Sequence, residues 1–242
     1  MEKYVIGLDF GTNSCRALIV SCSDGRELAG SVFNYPSGFE GVIIDSSDPN
    51  LARQNQADYL IGNEVTVNEA IIKAKKVEHS FNPANYIGID VDTTGSSPMP
   101  VDRNNIPLCF REKFRNNPNA MVWLWKDHTS FAEAAEITET AARMRPQYLA
   151  KIGGTYSSEW FWSKIMRLKK VDSEVYENAY SFLEICDWVP SVLAGINDVS
   201  NIKRSICAAG HKAMFSNQWK GLPDSEFLDS LSKGLGDLRE RL

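Results

Sequence analysis

The chain begins with apolar runs separated by short polar turns. Residues 4–8 form a continuous apolar run with β-branched members, ended by Asp9-Phe10-Gly11-Thr12. This pattern predicts a buried strand followed by a tight turn. Residues 16–21 contain a second run, Ala17-Leu18-Ile19-Val20, and Asp24-Gly25 marks a turn before a third expected strand over 27–35. Three strands with such short connections predict an antiparallel meander. From 56 to 79 the period changes: Tyr59, Val67, Ala70, Ile71 and Ala74 recur at helical intervals, predicting a long helix over one face of the sheet. Residues 86–91 are expected as another buried strand, running into the polar stretch 92–98.

Helices and strands then alternate. Asn104-Asn105 predicts a hairpin tip between strands over 99–102 and 106–110. Residues 120–125 are a further apolar run leading directly into Lys126-Asp127-His128-Thr129, and 131–142 predicts a helix because Ala and Glu favour it. After Gly153-Gly154, Ser157 or Ser158 can cap a helix to about Lys170, with Trp160, Phe161, Ile165 and Leu168 on its apolar side. A short strand over 182–185, a helix over 187–193 closed by Gly195, and a last helix from Pro223 complete the order. That last helix carries Phe227, Leu231, Leu235 and Leu238 in one stripe, free to face a further domain. No repeat, Ser/Gly linker or charge block marks a boundary. Residues 1–242 therefore read as one α/β domain, a mixed sheet flanked by helices.

Composition narrows the function classes. Hydrophobic residues at 43% and charged residues at 24% exclude a disordered or low-complexity chain. A net charge of −5 without a basic tail argues against general nucleic-acid binding. No apolar stretch approaches the ~18 residues a membrane span requires. The five scattered cysteines (Cys15, Cys22, Cys109, Cys186, Cys207) suit neither a disulfide framework nor a zinc site, so they are expected as small buried hydrophobes of a cytoplasmic protein. His79, His128 and His211 lack metal-ligand spacing.

Two stretches can carry chemistry. In Gly7-Leu8-Asp9-Phe10-Gly11-Thr12-Asn13-Ser14-Cys15-Arg16, a hairpin with Gly at its tip can aim backbone N–H groups and hydroxyls into one concavity. Such an anion nest suits a terminal phosphate, with Gly11, Thr12, Asn13, Ser14 and Arg16 as candidates. Asp9, ending the strand, could hold Mg²⁺ directly or through water. An ordinary hairpin with a solvated Asp explains the same spacing equally well. In Trp123-Leu124-Trp125-Lys126-Asp127-His128, an indole offers a flat wall for the C–H face of a sugar, and Lys and Asp offer hydroxyl partners. By composition alone, core tryptophans and a surface Lys126–Asp127 pair are the simpler account. His128 could orient the neighbouring carboxylate.

The D-x-G-T turn in the first hairpin of a meander resembles the phosphate loop of the actin/hexokinase superfamily, whose fold is ribonuclease-H-like. Five stretches in order, GLDFGTNSCRALIV, NPNAMVWLWKDHT, GGTYSSEWFWSKI, EICDWVPSVLAG and CAAGHKAM, resemble the N-terminal half of the FGGY carbohydrate kinases over nearly the whole chain. The resemblance implies sugar recognition by Trp125, Lys126, Asp127 and Lys212, with Ser97 in a cleft floor formed by 92–97. It implies ATP and Mg²⁺ as cofactors, and phosphorylation of a ketopentose, L-ribulose foremost, in arabinose catabolism. It also implies a C-terminal kinase domain as partner, and it allows a homodimer. The family's catalytic Asp lies in a G-N-x-D-A-H-type segment that this sequence lacks. No catalytic residue is therefore expected within it, and the chain alone is expected to be inactive. A non-catalytic sugar-binding module and another pentulose or polyol kinase of the family are the alternatives. A chaperone or filament ATPase sharing the phosphate loop fits less well, because it has no use for the W-K-D-H-T cluster.

Overall fold

The computed structural model describes residues 2–242, and no helix among them is long and apolar enough to cross a membrane. The chain begins with β1 (Tyr4–Phe10), β2 (Ser14–Ser21), β3 (Glu27–Asn34), β4 (Ile43–Asp45), β5 (Asp48–Gln54), α1 (Gln56–Val77) and β6 (Tyr86–Thr93). It continues through β7 (Pro98–Val101), β8 (Val122–Trp123), α2 (Phe131–Met144), α3 (Pro146–Ala150), α4 (Phe161–Val171), α5 (Ser173–Asn178) and β9 (Ser181–Glu184). The last elements are α6 (Ile185–Leu193), α7 (Ile206–Ala213), α8 (Ser225–Leu231) and α9 (Leu235–Arg239). Two compact units are present: residues up to 43 with 54–94, and 44–53 with 95–242. The chain passes between them on ordinary strand and loop residues, so no linker composition marks the division.

In the first unit the sheet order is β3-β2-β1-β6, with β1–β2 and β2–β3 antiparallel and β1–β6 parallel. This is the expected mixed α/β sheet, opened by the expected meander. Along β1, Tyr4, Ile6, Leu8 and Phe10 are buried while Val5, Gly7 and Asp9 are half-buried, the period-2 pattern of a strand with unequal faces. α1 packs on β2 and β3. Its start is fixed by Asn55, whose side chain accepts from Ala57 N–H at 3.0 Å. Gly62 permits close approach of helix and sheet, since a Cβ there would stand 2.9 Å from the Cys15 Cβ. β6 departs from expectation. It lies at the sheet edge, outside the cover of α1, and leaves Ile87 60% and Ile89 59% exposed.

In the second unit β4, β5 and β8 form one small sheet and β7 pairs antiparallel with β9. The hairpin expected around Asn104-Asn105 is present only at its tip, where Asp102 N–H donates to Ile106 C=O at 2.9 Å and Val101 bridges Pro107, with Asn105 at φ 63°. Beyond it the chain forms a 3-10 turn over Leu108–Phe110 in place of a strand, so the partner of β7 is β9. The last helix is two: Gly234 at φ 91° breaks it, and the Asp229 carboxylate accepts from Gly234 and Gly236 N–H at 2.9 Å each. Its stripe of Phe227, Leu231, Leu235 and Leu238 is buried within this unit rather than offered to another domain. Among the cysteines Cys15 and Cys109 are buried, but Cys22 and Cys207 are exposed, correcting the uniform burial expected.

Candidate functional site

The residues expected to form a phosphate loop lie in and beside the turn between β1 and β2. Gly11 N–H closes the turn on Ser14 C=O at 3.0 Å, and the Ser14 side chain is buried. Gly11 N–H is therefore used within the turn, by the Ser14 backbone carbonyl. Thr12 C=O accepts from the Gln54 amide at 2.6 Å, and the Asn13 amide donates to Glu40 C=O at 2.6 Å. Asp9 and Arg16 pair across the strands at 2.5 Å, both side chains well exposed. Among the described residues no group of three or more His, Cys, Asp or Glu could hold a metal ion. A Mg²⁺ bound through Asp9 would thus take most ligands from phosphate and water, as Mg²⁺ commonly does.

In the second unit the loop leaving β8 sorts its residues sharply. Trp123 is 2% exposed: its Nε1–H donates to Asn119 C=O at 3.1 Å, and the Arg53 guanidinium lies 3.5 Å from its ring centroid. Trp125 is 38% exposed and Lys126 half-buried. Asp127 is fully buried. Its Oδ1 accepts from Thr129 N–H (3.2 Å) and Oγ–H (2.6 Å), and its Oδ2 from Ala52 N–H (2.8 Å) and Arg53 Nη1. Four protein donors bond the carboxylate, and through them Asp127 anchors the loop. His128 does not orient it, since the ring nitrogen lies 3.1 Å from the Ser158 hydroxyl.

Ser97 is held through its backbone. It is completely buried, donating its N–H to Glu184 Oε2 and accepting from Ile185 N–H at 3.2 Å. Lys212, near the end of α7, is half-buried. Its Nζ approaches the Gly95 turn so closely that a Cβ on Gly95 would stand 2.6 Å away. Its carbonyl accepts from Tyr156 O–H, and that oxygen accepts from Trp162 N–H at 3.0 Å. The second unit thus places Lys212 beside the turn that carries Ser97, while Trp125 and Lys126 leave β8.

Sequence reasoning missed Lys164 and Glu184. Lys164 is fully buried, and its Nζ donates to the carbonyls of Ser96, Trp123 and Leu124. Burial pushes the pKa of its ammonium down, against the pull of Glu184. The signal was its position: it falls between Phe161 and Leu168, on the apolar stripe. Elsewhere in this unit a cavity of about 180 Å³ is lined by Phe161, Ile206, Ala213 and Phe215 with Glu184, Asp187 and Arg204. None of the residues expected to bind sugar lines it.

No protein-family model matches the chain. All 242 residues align at 40% identity with a ribulokinase of Vibrio parahaemolyticus, covering 100% of this chain and 42% of that protein. A ribulokinase of Shouchella clausii is 36% identical, over 98% of this chain and 41% of its own length. The chain is a homologue of the N-terminal part of ribulokinases. It spans about two-fifths of the length of these relatives. Among solved structures, a xylulose kinase from Bifidobacterium adolescentis superposes with a TM-score of 0.70 at 12% identity, covering 99% of this chain and 46% of that one. A gluconate kinase from Lactobacillus acidophilus gives 0.58 at 15% identity, with 96% and 40% covered. At these identities the structural likeness speaks for the fold alone: the sugar-kinase, actin/hexokinase-like α/β architecture.

Proposed function

We propose that this chain supplies the sugar-binding N-terminal domain of an ATP-dependent ribulokinase, which phosphorylates L-ribulose in the cytoplasmic catabolism of arabinose. The observation that supports this most is the alignment with ribulokinases from end to end of the chain. Trp125, Lys126 and Lys212 are the sugar-facing side chains of this reading, with Asp127 and Ser97 acting through the segments they anchor. Thr12, Asn13 and Arg16 serve the nucleotide phosphates, and Asp9 is the candidate protein ligand for Mg²⁺. Phosphoryl transfer depends on holding the hydroxyl in line with the γ-phosphate and on neutralising charge there. The domain proposed here does the holding. The general base and most of the nucleotide site belong to the portion of the relatives beyond this alignment.

Calorimetry with L-ribulose, D-xylulose and glycerol tests the substrate class. Preferential binding of L-ribulose supports the reading, and equal or absent binding of all three overturns it. Adding a separately expressed C-terminal part of a ribulokinase tests the enzyme. ATP-dependent turnover by the mixture is expected, with none by this chain alone, because acid–base groups by themselves contribute about 10²–10⁴-fold.

A further inference from the structure

Lys164 occupies a position that the α4 pattern reserves for an apolar side chain. An ammonium can be buried only if its donors are paired. Nζ donates to Ser96 C=O at 3.0 Å, Trp123 C=O at 3.2 Å and Leu124 C=O at 2.7 Å, which uses all three of its N–H groups. The acceptors come from two segments far apart in the chain. Ser96 follows Gly95, the residue against which Lys212 Nζ lies, and Leu124 precedes the accessible Trp125. Glu184 grips the first segment as well, accepting from Ser96 O–H at 2.9 Å and from Ser97 N–H. The same helix holds α7 too, since Trp162 Nε1–H donates to Ala213 C=O at 2.9 Å.

We propose that Lys164, with Glu184 as its counter-charge, is the positioning residue of the sugar site. One buried ammonium ties residues 95–97 to residues 123–125, and so sets where Lys212 and Trp125 meet the ketose. The proposal rests on the sugar-site reading above. Lys164 does not itself touch substrate. An apolar residue of similar volume would fill the space but leave three buried carbonyl oxygens without this donor. The arrangement also explains why Ser97 and Asp127 matter to the site while facing away from solvent: each fixes one end of a segment that Lys164 joins to the other.

The test uses the 242-residue chain, with L-ribulose as the probe in calorimetry and amide hydrogen exchange as a second readout. Lys164→Met keeps the volume and removes the donors. The double variant Lys164→Met/Glu184→Gln also removes the buried carboxylate left without its counter-charge, and guards against a single variant that does not fold. Leu168→Ala, on the same helix and 1% exposed, controls for loss of stability alone. At a temperature where all are folded, both Lys164 variants should bind L-ribulose about tenfold more weakly or worse, as expected when buried acceptors lose their donor. They should also exchange faster at 95–97 and 123–126, while Leu168→Ala keeps wild-type affinity. Wild-type affinity in the double variant, or an equal loss in Leu168→Ala, overturns the proposal, as does unchanged exchange at those two segments. A wild-type chain that binds no ketopentose refutes the sugar-site reading itself.

Discussion

The Arg53 guanidinium and the Asp127 carboxylate form an ion pair in which both side chains are buried, 1% and 0% exposed. The guanidinium also lies over the Trp123 ring, so one pair locks β5, β8 and the loop between Trp125 and Thr129. Removing one partner of such a pair leaves the other charged in a dry site. Asp127→Ala should therefore cost about 3–5 kcal/mol of stability, read by urea denaturation. A solvent-facing sugar contact would instead lose affinity with its denaturation midpoint unmoved, and that result would restore Asp127 to the substrate.

The two neighbouring tryptophans should separate stability from binding. Trp123, 2% exposed and stacked under Arg53, should cost about 3–5 kcal/mol as Trp123→Ala. Trp125→Ala, at a 38% exposed position, should change stability by less than about 1 kcal/mol. It is nevertheless Trp125→Ala that should abolish most L-ribulose binding. Paired denaturation and calorimetry decide this, and a Trp125→Ala chain with intact affinity would remove the indole from the site.

The first unit was legible because half-buried strands announce themselves. Tyr4, Ile6, Leu8 and Phe10 alternate with residues of the other face, and the Gly25 and Gly11 turns punctuate them. β6 was read as buried because Ile87, Ile89 and Val91 look like core residues. Burial, however, depends on what packs above a strand, and α1 covers β2 and β3 instead. The leucine stripe 227–238 runs through the break at Gly234, so periodicity alone showed one helix where the Asp229 cap makes two. At the candidate site, the motif located the loop but not the direction of its side chains. Asp127 turns inward because Arg53, distant in sequence, needs its charge. Lys164 was hidden for the opposite reason: a lysine in an apolar stripe reads as an interruption until its three carbonyl acceptors are seen.

Gly95 makes room for the Lys212 ammonium. A Cβ there would come within 2.6 Å of Nζ, the mobile end of a long side chain, which can move aside at little cost in folding. Gly95→Ala should therefore leave the denaturation midpoint almost unchanged while weakening L-ribulose binding about tenfold, comparable to the loss of one charged hydrogen bond. Lys212→Ala should give a similar loss, and the double variant no further one, since both act through the same ammonium. Additive losses would mean that Gly95 serves the site in another way.

Asp187 should govern part of the pH dependence of stability. It is 6% exposed, and burial pushes its carboxyl from 3.8 up to about 6; Glu184 adds to this, while Ser205 N–H and Arg204 oppose it. An acid whose pKa is higher in the folded state holds its proton more firmly there than in the unfolded chain. Its contribution to stability therefore falls as pH rises from 3.8 through about 6, and is constant outside that window. The full penalty above pH 6 is on the order of 3 kcal/mol. Asp187→Asn keeps an acceptor for Ser205 N–H without the charge. At pH 7 the variant should be more stable than wild type by up to this amount, and the two should converge near pH 4. Denaturation midpoints of both chains from pH 4 to 8 measure the gap. A variant less stable at pH 7 would mean that the ionised carboxylate, held by Ser205 and Arg204, outweighs the cost of burying it.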